Sequence, residues 1–349
     1  MTTPILVVCP GRGSYDRTAL GQLAGRGGAV DDLLDSCDRW REAHDRPSIR
    51  ELDGAEAYRS SLHVAGEHAS LLTFACSMAD MASIDTERFT VVGVTGNSMG
   101  WYTAMAASGA LPLEAAIELV DTMGSYQQRN VIGGQVLYPC HGDGRLESPS
   151  ALQAIDQALQ ACATAGHVAE WSIHLGGYAV LGADREGVKA LLSSLPPITR
   201  GARTFPVQLP LHSAFHTSLL EPTAARAAHD LAHLRPEAPR VPLVDGRGMV
   251  WRPRWADPGA MWRYTLGQQV AEPYDFTTAV KTALRHTGAE AVVALGPGNS
   301  LGGPLARILV DEGWGGVRST DDLDERQQTD SPLLLSFGVP RQRERLVRS

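Results

Sequence analysis

The stretch VTGNSMGWYTAMAASGAL, residues 94–111, joins an apolar run to a segment with helical spacing. FTVVGV (89–94) has the β-branched composition of a buried strand, and the residues after position 100 predict a helix. Between them GNSMG (96–100) fits G-x-S-x-G, the nucleophile elbow, in which a serine hydroxyl projects from a sharp strand-to-helix turn. The free N–H groups of the helix would favour an anion formed there. Ser98 is therefore a candidate nucleophile, with an ordinary turn as the alternative.

Composition and charge narrow the class of protein. The chain has 349 residues, of which 43% are apolar and 20% charged, as expected for a globular protein of one or two domains. A formal charge of −8 without an internal basic block argues against a nucleic-acid partner. No apolar run is long enough to span a membrane, and the N-terminus lacks a signal-peptide pattern. Five scattered cysteines favour neither disulfides nor a metal site, so we expect a cytoplasmic protein.

The order of elements predicts a large α/β domain. PILVVC (4–9) has the pattern of a first buried strand that runs into a glycine loop, and residues 70–82 that of an amphipathic helix. VPLVD (241–245) and AVVALG (291–296) are candidate parallel strands of the same sheet. We expect an α/β-hydrolase-like core with a parallel sheet, formed by residues 1–131 and 210–317.

A smaller domain is predicted within this core. Between residues 132 and 209 the pattern is strand, helix, strand, strand, helix, strand, which is the ferredoxin-like order. The last of these strands is predicted within RTFPVQLP (203–210). Residues 318–349 are polar and rich in Asp, Arg and Gln, which predicts a C-terminal extension.

A serine nucleophile needs a base, because its hydroxyl is weakly nucleophilic at its own pKa. Of eleven histidines, His216 is favoured because it lies between a predicted strand and a predicted helix. His212 is the near rival, and a capping or surface role is the alternative for His216.

Further glycine loops follow the first strand and residue 295. The backbone N–H groups of Arg12 and Met99 could form an oxyanion hole. Ordinary strand-to-helix turns would also explain these loops.

Four motifs, in order over about residues 4–310, resemble the malonyl-CoA:acyl carrier protein transacylase family, which includes the acyltransferase domains of polyketide synthases. They are PGRGSY, GNSMGWYTAMAASGALPLEAAIELV, SAFHTSLLEP and ALGPGNSLGG. The resemblance implies that Ser98 carries the acyl group as an ester and that His216 acts as general base and then as acid. It also implies orientation of this histidine by a backbone carbonyl in the GPG-loop region. The implied partners are an acyl-CoA or acyl-carrier-protein donor and an acyl carrier protein, with no cofactor beyond the phosphopantetheine arm or CoA of the substrate.

The chain departs from the family pattern at the substrate positions. Met123 stands where the family has the arginine that pairs with the malonyl carboxylate, and Arg12 replaces a glutamine. Asn97 replaces the histidine of GHSxG, Trp101 the glutamate of GEY, and HASLL the pocket-lining QPALL. The resemblance therefore places at the substrate the residues Asn97, Trp101, Met123, His68, Phe215 and Asn299.

The loss of that arginine predicts a neutral acyl group, because a carboxylate without a partner is costly in a closed site. Alternatively, Arg12 has taken over the carboxylate. An acyl-thioester hydrolase and a non-catalytic docking protein are the rival functions. Arg200 and Arg203 could contact an acidic carrier protein or its phosphate, or could be solvated loop residues. We expect a monomer that acts in polyketide or related specialised metabolism.

Overall fold

The structure is a computed structural model that describes residues 2–126, 131–142 and 146–348. Thirteen strands are formed in these ranges. They are β1 (Thr3–Cys9), β2 (Phe89–Gly96), β3 (Gly134–Pro139), β4 (Ala169–His174), β5 (Tyr178–Ala183), β6 (Ile198–Arg200), β7 (Arg203–Phe205), β8 (Val207–Gln208), β9 (Leu243–Val244), β10 (Val250–Trp251), β11 (Tyr274–Asp275), β12 (Ala291–Ala294) and β13 (Leu334–Ser336).

Fifteen α-helices lie in the described part of the chain. They are α1 (Ala29–Glu42), α2 (Ile49–Asp53), α3 (Ser60–His63), α4 (Gly66–Ser83), α5 (Gly100–Ala107), α6 (Leu113–Ser125), α7 (Pro149–Thr164), α8 (Arg185–Ser194), α9 (Glu221–Asp230), α10 (Pro258–Leu266), α11 (Gln268–Ala271), α12 (Phe276–Thr287), α13 (Gly302–Asp311), α14 (Thr320–Gln327) and α15 (Pro340–Leu346). Short 3₁₀ helices span Arg12–Ser14, Arg17–Ala19, Ser218–Leu220 and Trp314–Gly316. None of the described helices has both the length and the apolar character needed to cross a bilayer.

The large sheet has the strand order β10-β9-β2-β1-β12-β13. Its neighbouring strands are parallel except for the edge pair of β9 and β10. The central strand β1 is fully buried from Ile5 to Cys9, as a parallel strand covered on both faces must be. The predicted strands at 241–245 and 291–296 are confirmed as β9 and β12. The fold class is therefore the predicted one, with a parallel sheet in the large domain.

Helices cover this sheet and pack on each other. The predicted helix at 70–82 is confirmed within α4, but most of its residues are buried, because it packs against α1 and α6 as well as the elements below it. It is therefore a core helix rather than an amphipathic surface helix.

The smaller sheet has the ferredoxin-like order β4-β5-β3-β8, with antiparallel neighbours and its own apolar core. The strand predicted at 203–210 is broken at Pro206, which has no N–H to donate to a ladder. As a result β7 pairs with β6 in a hairpin, while β8 joins the sheet. One strand comes from outside the predicted range of 132–209, because β11 pairs in parallel with β4.

The prediction of a C-terminal extension after residue 317 is wrong for the segment around residue 335. Here β13 pairs in parallel with β12 and forms the edge of the large sheet. Residues 333–335 and Phe337 are buried, and the carbonyl of Leu346 accepts a hydrogen bond from the backbone N–H of Asp85. The apolar run LLLSF (333–337) supplies the driving force, although polar residues surround it.

Candidate active site

Ser98 lies on a sharp turn between β2 and α5, as the G-x-S-x-G pattern predicts. Its φ of +56° is in a region that residues with side chains rarely adopt. Both glycines are required by close backbone contacts. A Cβ at Gly96 would lie 2.2 Å from the carbonyl oxygen of Gly100, and one at Gly100 would lie 2.2 Å from that of Cys9. The turn thus depends on glycine at both positions and presents Ser98 at the carboxyl end of the sheet.

The structure brings Ser98 and His216 together. The Oγ of Ser98 lies 2.7 Å from Nε2 of His216, although the two residues are 118 positions apart. The Nδ1–H of His216 donates to the backbone carbonyl of Gln269 at 2.6 Å. Nε2 is therefore the acceptor nitrogen that faces the serine hydroxyl. Burial lowers the pKa of His216 to about 4, so the imidazole is neutral near neutral pH.

The carbonyl that orients His216 belongs to Gln269 and not to the GPG loop, so the expectation drawn from the resemblance is wrong on this point. The GPG loop instead packs on α4. The N–H of Gly296 donates to Oδ2 of Asp80 at 2.8 Å, and the hydroxyl of Ser77 donates to the Gly296 carbonyl at 2.5 Å. The backbone N–H and carbonyl of Gly296 thus bond to α4 and not to the histidine.

The loop after β1 lies directly beside the elbow. A Cβ at Gly11 would lie 3.1 Å from the carbonyl oxygen of Asn97 and 3.8 Å from Cβ of Ser98. Arg12 follows at the start of a 3₁₀ helix, and Met99 immediately precedes α5. Both residues therefore lie in backbone segments that border Ser98, where their N–H groups could meet an oxyanion.

The side chain of Arg12 connects two loops of the site. It is only 7% exposed, and its Nη2 donates to the carbonyl of Leu211 at 2.7 Å. The guanidinium carbon lies 5.5 Å from the centre of the Phe215 ring. Burial lowers the pKa of Arg12 to about 10, which still leaves it a cation at neutral pH. The loop after β1 is thereby linked to the segment that carries His216.

A cavity of about 400 Å³ opens at Ser98 and lies between the two sheets. This volume is within the range of small-molecule sites. Met123 reaches into it from α6 and is 6% exposed. Apolar side chains from both domains form much of the wall: Val64, Met99, Met123, Leu137, Ile173, Leu175, Val180, Leu209, Phe215, Val270 and Leu301.

His212, the rival candidate for the base, also lines this cavity. Its Nδ1 lies 2.8 Å from the carbonyl oxygen of Pro210, and burial, the larger cause, together with the charge of Arg12, lowers its pKa to about 3. The serine hydroxyl is nevertheless hydrogen-bonded to His216. The geometry thus favours His216 as the base.

Three of the residues predicted at the substrate lie outside the cavity: Trp101, His68 and Asn299. Trp101 is fully buried on the far side of α5, where its Nε1–H donates to Oγ1 of Thr265 at 2.9 Å and its ring meets the ring of Tyr264 edge-on. Asn299 is exposed before α13, and its carbonyl accepts from the N–H of Gly302 at 3.2 Å. The remaining predicted residues line the cavity: Arg12, Asn97, Ser98, Met99, Met123, Phe215 and His216.

His68 belongs instead to a buried charged cluster. Its Nδ1 lies 2.8 Å from Nη2 of Arg41, a fully buried arginine that also pairs with Asp121 at 2.9 Å. Asp121 lies two residues before Met123 on α6. The charge of Arg41 is thus compensated by Asp121, and Arg41 is not among the described residues that line the cavity.

Sequence reasoning missed Gln269, which contacts both Ser98 and His216. It lies in YTLGQQVAEP (264–273), which contains none of the motifs used to locate the site. Tyr102 was also missed, although it is the tyrosine of GWY, the counterpart of GEY in the family motif. That motif is the signal that could have singled out Tyr102.

Comparison with known proteins supports the resemblance. No family model matches the chain. The malonyl CoA-acyl carrier protein transacylase of Escherichia coli O157:H7 is 26% identical over 219 residues, which are 62% of this chain and 65% of that protein. The match thus spans just under two thirds of the curated transacylase. The polyketide synthase GfsB of Streptomyces halstedii is 28% identical over 226 residues, which are 60% of this chain and 3% of that protein.

Solved structures share the fold over the whole chain. One is the transacylase chain of the PlMCAT:AntF complex, described as a type II PKS acyl-carrier protein with its malonyl-transacylase. It superposes with a TM-score of 0.74 at 18% identity and covers 99% of both chains. In its sequence matches and the order of its motifs the chain is similar to malonyl-CoA:acyl carrier protein transacylases, and its fold is the one seen in the solved transacylase structure.

Proposed function

We propose that this chain is an acyltransferase that moves an acyl group from a thioester donor to the phosphopantetheine thiol of an acyl carrier protein through an ester on Ser98. The observation that carries the proposal is the 2.7 Å contact between Oγ of Ser98 and Nε2 of His216. The tautomer of His216 supports it, because the Gln269 carbonyl keeps the proton on Nδ1 and leaves Nε2 free to accept one.

In the first half-reaction Oγ of Ser98 attacks the thioester carbonyl, and its proton passes to Nε2 of His216. The negative charge that develops on the carbonyl oxygen is placed beside the N–H groups of Arg12 and Met99. The carbon–sulfur bond then breaks, and the imidazolium returns the proton to the leaving thiolate. In the second half-reaction the thiol of the carrier protein attacks the ester by the same steps in reverse.

We propose further that the acyl group is neutral. Met123 lies in the cavity at the position of the arginine that, in the resemblance, binds the malonyl carboxylate, and a thioether offers only soft apolar contact. The largely apolar walls would leave a carboxylate poorly solvated. Arg12 is the alternative carboxylate partner, since it is a buried cation in the same cavity. Its guanidinium already donates to Leu211, which favours a role in holding the loop.

The acceptor in this proposal is an acyl carrier protein, in polyketide or related specialised metabolism. Two arginines lie on the β6–β7 hairpin, and one of them, Arg203, lines the cavity. Arg200 and Arg203 are exposed and could meet the acidic carrier protein or the phosphate of its arm. Charge-reversed variants of both residues should weaken transfer from preformed acyl-enzyme more than acylation from CoA.

Intact-mass analysis of the protein after incubation with acetyl-CoA, malonyl-CoA and longer acyl-CoAs tests the proposal. We expect one neutral acyl group per chain, lost in Ser98→Ala and kept in Ser108→Ala. Ser108 is a suitable control because it is buried after α5, where its hydroxyl bonds to Met105. Adding carrier protein should move the acyl group to its thiol.

Other outcomes would identify the rival functions. Release of free acid without an acceptor would show a hydrolase. A lack of acylation with every thioester would favour a docking protein. Selective malonylation that Arg12→Ala abolishes would establish Arg12 as the carboxylate partner and refute the neutral acyl group.

A further inference from the structure

A single buried residue, Gln269, contacts both the candidate nucleophile and the candidate base. Gln269 is 3% exposed and is part of the short helix α11. Its backbone carbonyl accepts from Nδ1–H of His216, and its side-chain Nε2 donates to the backbone carbonyl of Ser98 at 3.1 Å. The next residue, Val270, accepts the backbone N–H of His216 at 2.9 Å. One residue thus contacts both halves of the pair.

Tyr102 sets the orientation of the Gln269 amide. Its hydroxyl donates to Oε1 of Gln269 at 2.8 Å, and its side chain is 5% exposed. Burial raises the pKa of Tyr102, so the phenol keeps its proton and remains a donor. Because Oε1 accepts this hydrogen bond, the amide nitrogen must face Ser98. Tyr102 lies one helical turn after Ser98, so the contacts form a closed ring.

Ser98 and His216 both have backbone conformations that are rarely adopted by residues with side chains. Ser98 has a φ of +56° and His216 a φ of +57°. Residues with side chains keep such conformations only where the surrounding structure imposes them. The proton is transferred over 2.7 Å, so the two segments that carry Ser98 and His216 must keep a fixed position relative to each other, although they are far apart in the chain.

We propose that the side chain of Gln269, oriented by Tyr102, is a positioning residue that keeps Ser98 and His216 aligned for the attack. This inference rests on the proposed function, because it assumes that Ser98 is the nucleophile. It differs from the role of the Gln269 backbone carbonyl, which any residue at this position would supply. The side chain is needed because only a group that both donates and accepts can join Ser98 to Tyr102.

The test measures how fast a fluorophosphonate probe labels Ser98, a reaction that does not depend on the natural acyl group. Gln269→Ala keeps the backbone carbonyl but removes the side-chain hydrogen bonds to Ser98 and Tyr102. This variant should be labelled about 10- to 100-fold more slowly than the wild type. Tyr102→Phe removes only the outer hydrogen bond and should label a few-fold more slowly, by about 3- to 10-fold. Tyr138→Phe is the matched control, because its hydroxyl donates to the carbonyl of Pro196 in the small domain, and it should label at the wild-type rate.

Gln269→Glu separates positioning from general damage to the fold. A protonated carboxyl can donate to Ser98 and accept from Tyr102, whereas a carboxylate can only accept. Burial raises the pKa of such a carboxyl, so the rate relative to wild type should fall from near parity at about pH 5 to the Gln269→Ala level at about pH 9. Among the described titratable groups, Tyr102 and His216 contact Gln269, Tyr274 lies against the His216 ring, and Arg12 and His212 line the same cavity.

The possible failures are distinguishable. A wild-type labelling rate in Gln269→Ala would refute the positioning role of the Gln269 side chain. So would a Gln269→Glu variant whose relative rate does not change with pH. Neither result would affect the assignment of Ser98 as the nucleophile. If Ser98→Ala is labelled as the wild type is, Ser98 is not the nucleophile, and the positioning role proposed for Gln269 is refuted as well.

Discussion

Replacing Met123 by arginine should shift the preference of the site from acetyl-CoA towards malonyl-CoA. Met123 is 6% exposed in a cavity with apolar walls, so a guanidinium there would be largely shielded from water. A hydrogen bond to a charged group contributes about 1.5 to 3 kcal/mol. Since about 1.4 kcal/mol is a factor of ten in rate, the ratio of kcat/KM for malonyl-CoA over acetyl-CoA should rise by roughly 10- to 100-fold.

The assay is the rate of acyl-enzyme formation with each CoA thioester, followed by rapid quench and intact mass. Met123→Gln is the matched control, because it offers N–H donors of similar reach without the charge, and it should change the ratio little. Without a bound carboxylate the new guanidinium has lost hydration, so Met123→Arg should also unfold at a lower temperature. A folded Met123→Arg variant whose ratio of kcat/KM for malonyl-CoA over acetyl-CoA equals that of the wild type would contradict this role of residue 123.

Three further predictions concern the base, the elbow and the cluster behind the cavity. Because burial lowers the pKa of His216 to about 4, the neutral base prevails above that pH, and acylation should be level from about pH 5 to about pH 8 and fall below about pH 4. Gly100→Ala should abolish fluorophosphonate labelling of Ser98, because its Cβ would lie 2.2 Å from the Cys9 carbonyl oxygen and displace the turn. Asp121→Asn leaves the fully buried Arg41 without its carboxylate and should lower the free energy of unfolding by about 3 to 5 kcal/mol in urea titrations.

Each of these has a control or an outcome that would contradict it. An acid limb near pH 6.5, the ordinary value for histidine, would contradict the burial of His216. Gly303→Ala should be tolerated, because its Cβ would meet only the end of the flexible Arg307 side chain at 3.2 Å. Asp31→Asn should leave stability unchanged, since this carboxylate is 58% exposed, and an equal loss in both Asp variants would contradict the role of the cluster.

Patterns in the sequence predicted those parts of the fold and the site that are formed by residues close together in the chain. The elbow is one contiguous segment whose glycines, serine and flanking elements are visible in the sequence, and the structure has the turn where the pattern places it. The strands at 241–245 and 291–296 followed from short apolar runs between loops. The ferredoxin-like order of the small domain likewise follows from elements in succession.

Contacts between distant segments could not be predicted in this way. The pairing of Ser98 with Gln269 depends on the packing of α11 against the elbow, which no residue spacing indicates. The direction of Trp101 depends on which face of α5 meets α10, so a motif position was mistaken for a cavity position. The edge strand β13 was missed because its three residues lie among polar neighbours, and its place is set by the exposed edge of β12.

Our proposal is that Ser98 is esterified by a neutral acyl group, in a cavity where Met123 stands at the position of the arginine that the resemblance assigns to the malonyl carboxylate. The most direct measurement is a competition in which the protein meets equal concentrations of acetyl-CoA, hexanoyl-CoA and malonyl-CoA, with the acyl group located by peptide mass mapping. We predict that the neutral acyl groups dominate and that all of the label is on Ser98. A product that is mainly malonylated, or acyl groups on another residue, would contradict it.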